Sequence, residues 1–321
     1  MRKVILTKRL NEADAKLFEG ISDIELVTIP DGDQASFDAH IKDAEAILLS
    51  TSYKMTQEVI KSAQNLKVIS RTGVGVDNVD VLAATEQGVL VLNTPQANSI
   101  SVAEHTVALI IAISKQLLMY DSELRSGNFK IRRTNKAVDI QGKILGLIGC
   151  GRIGRFAADK CKAAFDMQVI GYDPYIKELD DITLYTEIEE VFKRADYISL
   201  HIPLTPETKN LIGERLLSMM KPTAYIINTA RGGIIDEYAL AEKLKNGEIA
   251  GAALDVLESE PPSMDNPLLG LKNVILTPHT AALTKECSAR VANEAALGIA
   301  DYLKGNTPKF VFNKKLLESN E

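Results

Sequence analysis

Cysteine is scarce in this chain of 321 residues: only Cys150, Cys161 and Cys287 occur, with no C-x-x-C pair and no metal-ligand spacing among them. A disulfide framework and a cysteine-built metal site are therefore not expected, and a reducing, cytoplasmic compartment is. Basic residues are not in excess either. The net charge of −6 excludes the general electrostatic attraction that a nucleic-acid partner would exploit. No apolar run approaches the ~18 residues that would mark a membrane span, and the short apolar run near Met1 does not reach signal-peptide length. Tandem repeats and low-complexity tracts are also absent. With 45% hydrophobic and 25% charged residues, the composition is that of a chain able to bury a substantial core in about two domains.

What is present is organised around one stretch, Lys143 to Asp173. An apolar run of strand length over 144–148 is followed by Gly149, Gly151 and Gly154 in G-x-G-x-x-G spacing, then by a helical run over 152–164. A second β-rich run over 168–172 closes on Asp173. Gly149 permits a tight strand-to-helix turn, Gly151 lets a pyrophosphate approach the backbone, and Gly154 allows helix to pack closely on strand. Unpaired N–H groups and the dipole at the helix start favour phosphate. Asp173 would accept hydrogen bonds from the adenosine ribose hydroxyls and repel a 2′-phosphate, so NAD is expected over NADP. The parts are in register for a Rossmann dinucleotide unit.

Around this unit short β-rich and helical runs alternate. Before it, strands are predicted over 4–6, 25–28, 46–49, 67–70 and 89–92, with helices over 12–19, 36–42, 57–63 and 79–86 between them. Such alternation implies βαβ units and a parallel sheet. Pro95 breaks the pattern, and one long multiply buried helix is predicted over 102–120, with Ser99 or Ser101 as its cap. The basic residues Lys130, Arg132, Arg133 and Lys136 follow in a predicted loop. After Asp173, strands are predicted over 197–201, 224–228, 250–255 and 274–276, helices over 187–194, 214–219 and 237–246, and a long amphipathic helix over 284–304.

The fingerprint lies mid-chain, with a complete α/β block before it and a short remainder after it. The expected division is 1–97, 98–283 and 284–321, the last segment returning to complete the first domain; two domains in series is the alternative. Ligands of open α/β sheets bind at the carboxyl ends of strands. Three reactive side chains follow predicted strands there: Arg231 in Asn-Thr-Ala-Arg-Gly-Gly, Glu260 in Leu-Glu-Ser-Glu-Pro-Pro, and His279 in Thr-Pro-His-Thr. A guanidinium can grip a carboxylate bidentately, and an imidazole beside a carboxylate can exchange a proton near neutral pH. His105 reads as a packed helix residue, while His201 reads equally as a strand-end residue or a cofactor contact.

These residues together resemble the D-isomer-specific 2-hydroxyacid dehydrogenase family, in particular its 3-phosphoglycerate dehydrogenase and hydroxypyruvate/glyoxylate reductase branches. The resemblance extends over Arg-Thr-Gly-Val-Gly-Val-Asp-Asn-Val-Asp (71–80), Ser-Val-Ala-Glu-His-Thr (101–106), the fingerprint, His-Ile-Pro-Leu-Thr-Pro-Glu-Thr (201–208) and the three catalytic stretches. It implies two doubly wound parallel-sheet domains, an NAD-binding Rossmann domain inserted into a flavodoxin-like substrate domain. It implies hydride transfer between nicotinamide and C2 of a D-2-hydroxy acid or its 2-oxo partner. Arg231 would bind the substrate carboxylate and polarise the keto oxygen, His279 would exchange the hydroxyl proton, and Glu260 would pair with His279 and favour its protonated form. Backbone at Val74 and Gly75 would hold the substrate carboxylate. Arg152, Ile153 and Asp173 would contact the dinucleotide, Pro203, Thr208 and Thr229 would line its pocket, and Asp255 would meet the nicotinamide carboxamide. A homodimer built around the long helix after Pro95 is also implied.

One departure leaves the substrate open. Ser50 stands where the phosphoglycerate branch usually carries an arginine for the substrate phosphate, with Lys54, Arg132 and Arg133 as candidate replacements. The resemblance implies an end near that of the family's core, and a regulatory domain such as longer relatives carry is not expected within these residues. The resemblance thus admits 3-phosphoglycerate or a smaller acid such as glyoxylate or hydroxypyruvate. An NAD(H)-sensing corepressor or scaffold, and a phosphite dehydrogenase, are the alternatives on the same fold.

Overall fold

A computed structural model describes residues 1–318 as two compact units, one formed by residues 1–98 with 284–318 and the other by Ser99–Leu283. The first unit opens with five strands, β1 (Arg2–Leu6), β2 (Ile24–Thr28), β3 (Ala44–Leu49), β4 (Val68–Arg71) and β5 (Leu90–Leu92). Helices α1 (Glu12–Ala15), α2 (Gln34–His40), α3 (Gln57–Ser62) and α4 (Val81–Glu86) connect them. All pairings are parallel and the order is β2-β1-β3-β4-β5, the flavodoxin-like winding. Side chains alternate between two buried faces. Ile5, Ile47, Leu49 and Ile69 pack with Phe37, Ile60 and Ala84 on one side, while Val4, Leu6, Ala46, Leu48 and Val68 face the other. The helix predicted over 12–19 is shorter than expected, ending at Ala15, and the one predicted over 36–42 begins and ends two residues earlier; each runs out into a 3-10 turn.

The second unit begins at α5 (Ser99–Ser114), which is followed by α6 (Leu117–Arg125) and the short α7 (Ile131–Thr134). The single helix predicted over 102–120 is therefore two. Gln116 adopts a left-handed conformation at φ 52°, which ends the hydrogen-bond ladder. The periodicity ran through this break because both helices carry apolar residues, yet nine residues of α5 are buried and none of α6. Neither proposed cap serves, since Ser99 is already the first helical residue and Ser101 lies inside the helix.

The sheet of this unit has strands β6 (Ile144–Ile148), β7 (Gln168–Tyr172), β8 (Thr183–Leu184), β9 (Tyr197–Leu200), β10 (Tyr225–Asn228), β11 (Gly251–Leu254) and β12 (Val274–Leu276). The connecting helices are α8 (Arg152–Phe165), α9 (Ile188–Arg194), α10 (Glu214–Leu217) and α11 (Glu237–Lys245). The order β12-β11-β10-β9-β6-β7-β8 is wholly parallel and reverses direction between β6 and β9. This is the Rossmann winding with one added strand, and the fingerprint sits at its switch point. Among the described residues no single helix is long and apolar enough to cross a membrane.

The return segment completes the first unit with α12 (Lys285–Leu303), capped by the Thr284 side chain, and α13 (Lys314–Glu318). Ala295, Ala296, Ile299, Ala300 and Leu303 of α12 cover the second face of the first sheet. Gly298 lets the helix lie against Leu92, whose Cδ1 is 2.9 Å from where a Cβ would stand. Asn313 then fastens the segment to the sheet edge. Its buried side chain accepts from Val91 N–H (2.9 Å) and donates to Thr85 Oγ1 (3.0 Å) and Val89 C=O (2.9 Å). Asn313→Ala strands these groups in the interior and is expected to cost about 3 kcal/mol, read from urea unfolding. A loss under about 0.5 kcal/mol, the scale of an ordinary surface substitution, would refute this role.

Candidate active site

The glycines of the fingerprint each meet a distinct steric demand. Gly149 has φ +91°, and a Cβ there would lie 2.6 Å from the His201 carbonyl oxygen. At Gly154 a Cβ would stand 2.6 Å from the Gly149 carbonyl oxygen, which fixes how closely α8 approaches the turn. Around Gly151, by contrast, no atom lies within 4 Å of a Cβ. Gly151 is also the N-cap of the fourteen-residue α8, with no side chain capping it. An open glycine at the start of a long helix fits the diphosphate of a dinucleotide, whose oxygens the helix N–H groups can receive. Arg152 and Ile153 form the first helical turn, Arg152 exposed.

Asp173 follows β7 and is half-buried. Its Oδ2 accepts from Cys150 N–H (2.9 Å) and its Oδ1 from Tyr175 and Ile176 N–H (2.9 and 3.1 Å). The carboxylate is thereby oriented beside the glycine turn. Burial, with Asp173 as a neighbouring negative charge, pushes the Cys150 thiol up to about 12, so this cysteine is a packing residue. Pro203 is exposed; the Thr208 hydroxyl donates to its carbonyl (2.7 Å), holding the loop after β9. Thr229, buried after β10, shares a 2.8 Å hydrogen bond with Thr106 of α5.

His201 is a structural residue of this region. Its ring packs beneath Gly154 and its Nε2 lies 2.9 Å from Ser199 Oγ. Burial pushes its pKa from 6.5 down to about 4. Below pH 6.5 the unfolded chain takes up a proton that the folded one refuses, so the stability present above 6.5 is lost as the pH falls toward 4. His201→Gln is expected to shrink the drop in urea midpoint between pH 7 and pH 5 to less than the parent's. Equal drops would refute the assignment.

The loops after β10, β11 and β12 bring the reactive residues together. Glu260 Oε2 lies 2.7 Å from His279 Nδ1, both side chains about half exposed. Glu260 Oε1 also accepts from Leu257 N–H at 3.2 Å. With Nδ1 engaged, Nε2 is the ring atom left for chemistry. Arg231 sits on the neighbouring loop, its Nη1 donating to Ala230 C=O (2.7 Å). Its successor Gly232 abuts the β11 loop so tightly that a Cβ would stand 1.8 Å from the Leu257 carbonyl oxygen. Val74 and Gly75 belong to the first unit, in the loop after β4, where Asn93 Nδ2 donates to the Val74 carbonyl (2.8 Å).

Asp255 has partners that the sequence did not disclose. The residue is 1% exposed, and its Oδ1 accepts from Thr277 Oγ1 (2.6 Å) and Thr280 N–H (2.8 Å). Its Oδ2 accepts from Ala281 N–H (2.9 Å), and its backbone carbonyl from His279 N–H (2.8 Å). This cradle holds His279 at φ 52°, a conformation that histidine adopts at a cost of order 1–3 kcal/mol when the surroundings impose it. His105 joins the same network, its Nε2 3.2 Å from Thr277 Oγ1 and 3.5 Å from Asp255 Oδ1. No local pattern could have revealed it, because its partner lies 172 residues away.

Comparison with known proteins agrees with this geometry. Residues 107–281, more than half of the chain, match the D-isomer specific 2-hydroxyacid dehydrogenase, NAD binding domain. The chain is 45% identical over 98% of its length to a D-3-phosphoglycerate dehydrogenase of Methanocaldococcus jannaschii, and spans 60% of that relative's length. Among solved structures it resembles the TT0316 protein from Thermus thermophilus, with TM-score 0.87, 32% identity and coverage of 97% and 99% of the two chains. A glyoxylate reductase from Paecilomyes thermophila is similar over 98% and 99%, with TM-score 0.87 and 28% identity. Fold, fingerprint and strand-end residues converge, and the chain belongs to the D-isomer specific 2-hydroxyacid dehydrogenase family.

Proposed function

We propose that this chain is an NAD-dependent oxidoreductase interconverting a D-2-hydroxy acid and its 2-oxo acid. The observation that carries the proposal is the 2.7 Å Glu260–His279 pair, placed with Arg231 on three adjacent strand-end loops of the Rossmann sheet. When bound, the nicotinamide cofactor supplies or accepts the hydride exchanged at substrate C2. Gly149, Gly151, Arg152, Ile153 and Gly154 hold the diphosphate, and Asp173 takes the ribose hydroxyls, its negative charge favouring NAD over NADP. Pro203, Thr208 and Thr229 line the cofactor pocket. Asp255 holds the His279 loop and is assigned to the carboxamide side.

Arg231 pairs with the substrate carboxylate and draws charge onto the keto oxygen, and backbone at Val74 and Gly75 is assigned to substrate binding. In reduction His279 gives its Nε2 proton to that oxygen; in oxidation Nε2 takes it back. Glu260 holds Nδ1, which fixes the ring orientation and leaves Nε2 for the transfer.

A small unphosphorylated acid is the substrate class favoured here. Ser50 donates its N–H to Thr7 Oγ1 (2.7 Å), and its carbonyl accepts from Asn78 (3.0 Å); the loop after β3 thus carries a short side chain with a buried hydroxyl where a guanidinium would be needed. The phosphoglycerate-dehydrogenase relative supports the phosphorylated alternative, with Lys54, Arg132 or Arg133 as the cation. The deciding experiment mixes protein, NADH and glyoxylate, hydroxypyruvate, pyruvate or 3-phosphohydroxypyruvate. Fastest turnover of the phosphorylated acid would overturn the small-acid class, and silence on all four would point to another 2-oxo acid or to the NAD(H)-sensing alternative. Exposed Leu117, Leu118, Leu124 and Phe129 around α6 support a second copy of the chain as partner. Three free, buried cysteines support a cytoplasmic location.

A further inference from the structure

Glu237 is a buried carboxylate that the chemistry above leaves unused. It opens α11, is 7% exposed, and lies outside the acid–base pair. Both of its oxygens are committed to one loop. Oε1 accepts from Glu258 N–H at 2.6 Å and Oε2 from Asn266 Nδ2 at 2.6 Å. Asn266 is itself oriented, because its Oδ1 accepts from Leu268 N–H (3.0 Å) and Leu268 is fully buried. The segment between β11 and β12 forms no helix or strand of its own, so no ladder fixes its path. Within it, Glu260 lies two residues after one anchor of Glu237 and six before the other.

A desolvated carboxylate accepting two short hydrogen bonds is a strong anchor, and leaving either donor unmet would be costly. The same loop backbone abuts Gly232, where a Cβ would stand 1.8 Å from the Leu257 carbonyl oxygen. We infer that Glu237 is a positioning residue for the reaction: it sets the Glu258–Asn266 loop so that the Glu260 carboxylate meets His279 Nδ1. The inference rests on the assignment of Glu260 and His279 as the acid–base pair.

The test is a double-mutant cycle on the full chain, with NADH and whichever of the four 2-oxo acids turns over fastest. Glu260→Gln is expected to lower kcat about tenfold or more. Glu237→Ala is expected to lower it about tenfold, with KM for NADH within about twofold of the parent, because a misplaced catalytic group loses rate rather than cofactor affinity. In the Glu260→Gln background, Glu237→Ala should change kcat by less than about twofold, since its target is already gone. Glu237→Gln keeps an acceptor for Glu258 N–H and carries the cycle where the alanine variant does not fold. Equal losses of kcat in both backgrounds, or no loss at all, would overturn the inference while leaving the acid–base pair standing. Glu260→Gln at parental kcat would overturn the pair itself, and the inference with it.

Discussion

Replacing His279 with asparagine is expected to lower kcat for 2-oxo acid reduction by about 10²–10⁴-fold while leaving NADH affinity within a few-fold of the parent. Asparagine is the informative choice because it tolerates the left-handed backbone at φ 52°, where alanine would add strain. The Asp255 cradle bonds the backbone of His279 and Thr280 and the side chain of Thr277, so it survives the substitution. What is lost is the imidazole, its Nδ1 held by Glu260 and its Nε2 free to exchange a proton. Stopped-flow reduction and NADH fluorescence titration separate the two quantities. Turnover within tenfold of the parent would remove His279 from the proton path.

Gly232→Ala is expected to be nearly as damaging, though the residue carries no chemistry. Its Cβ would stand 1.8 Å from the Leu257 carbonyl oxygen and 2.8 Å from Glu258 N, both backbone atoms that no rotamer change can move. The β10 and β11 loops must part, and with them Arg231 and Glu260. Overpacking of this kind costs about 1–3 kcal/mol or more, and a displacement of an ångström costs about a hundredfold in rate. Gly233→Ala is the control: φ +75° makes it strained, yet the nearest atom is 3.7 Å away. Its loss should be confined to about 1 kcal/mol of left-handed strain, with smaller damage to kcat. A parental Tm and kcat in Gly232→Ala would show that the loops can separate without consequence.

Much of this architecture was legible because its signals are local. The run from β6 through Gly149, Gly151, Gly154 and α8 to Asp173 lies within one βαβ unit, where turn geometry and periodicity are written in neighbouring residues. The parallel strands were legible for the same reason, since both faces are buried and the sequence shows apolar runs. The break at Gln116 was not, because the apolar pattern of α5 continues into α6 and a single left-handed residue leaves no mark on it. Positions of Glu260 and His279 after their strands were readable, whereas the means of holding them was not. Asp255 reaches residues 22 to 26 positions away, Glu237 reaches residues 21 and 29 away, and Asn313 binds Thr85, Val89 and Val91, more than 220 positions distant. Carboxylates and amides of this kind look like ordinary loop polar residues until the chain is folded.

The return of α12 to the first sheet has a consequence for biosynthesis. Val4, Leu6, Ala46, Leu48 and Val68 are made early, but the helix that covers them is translated only after the whole Rossmann unit. The Rossmann unit is contiguous, so it can complete its own core while the first unit still shows an apolar sheet face to solvent. That face is a hazard for aggregation during synthesis. The ribosome must release the entire insert before the first unit can close, so strands made before it stay half-covered until the insert has been synthesised.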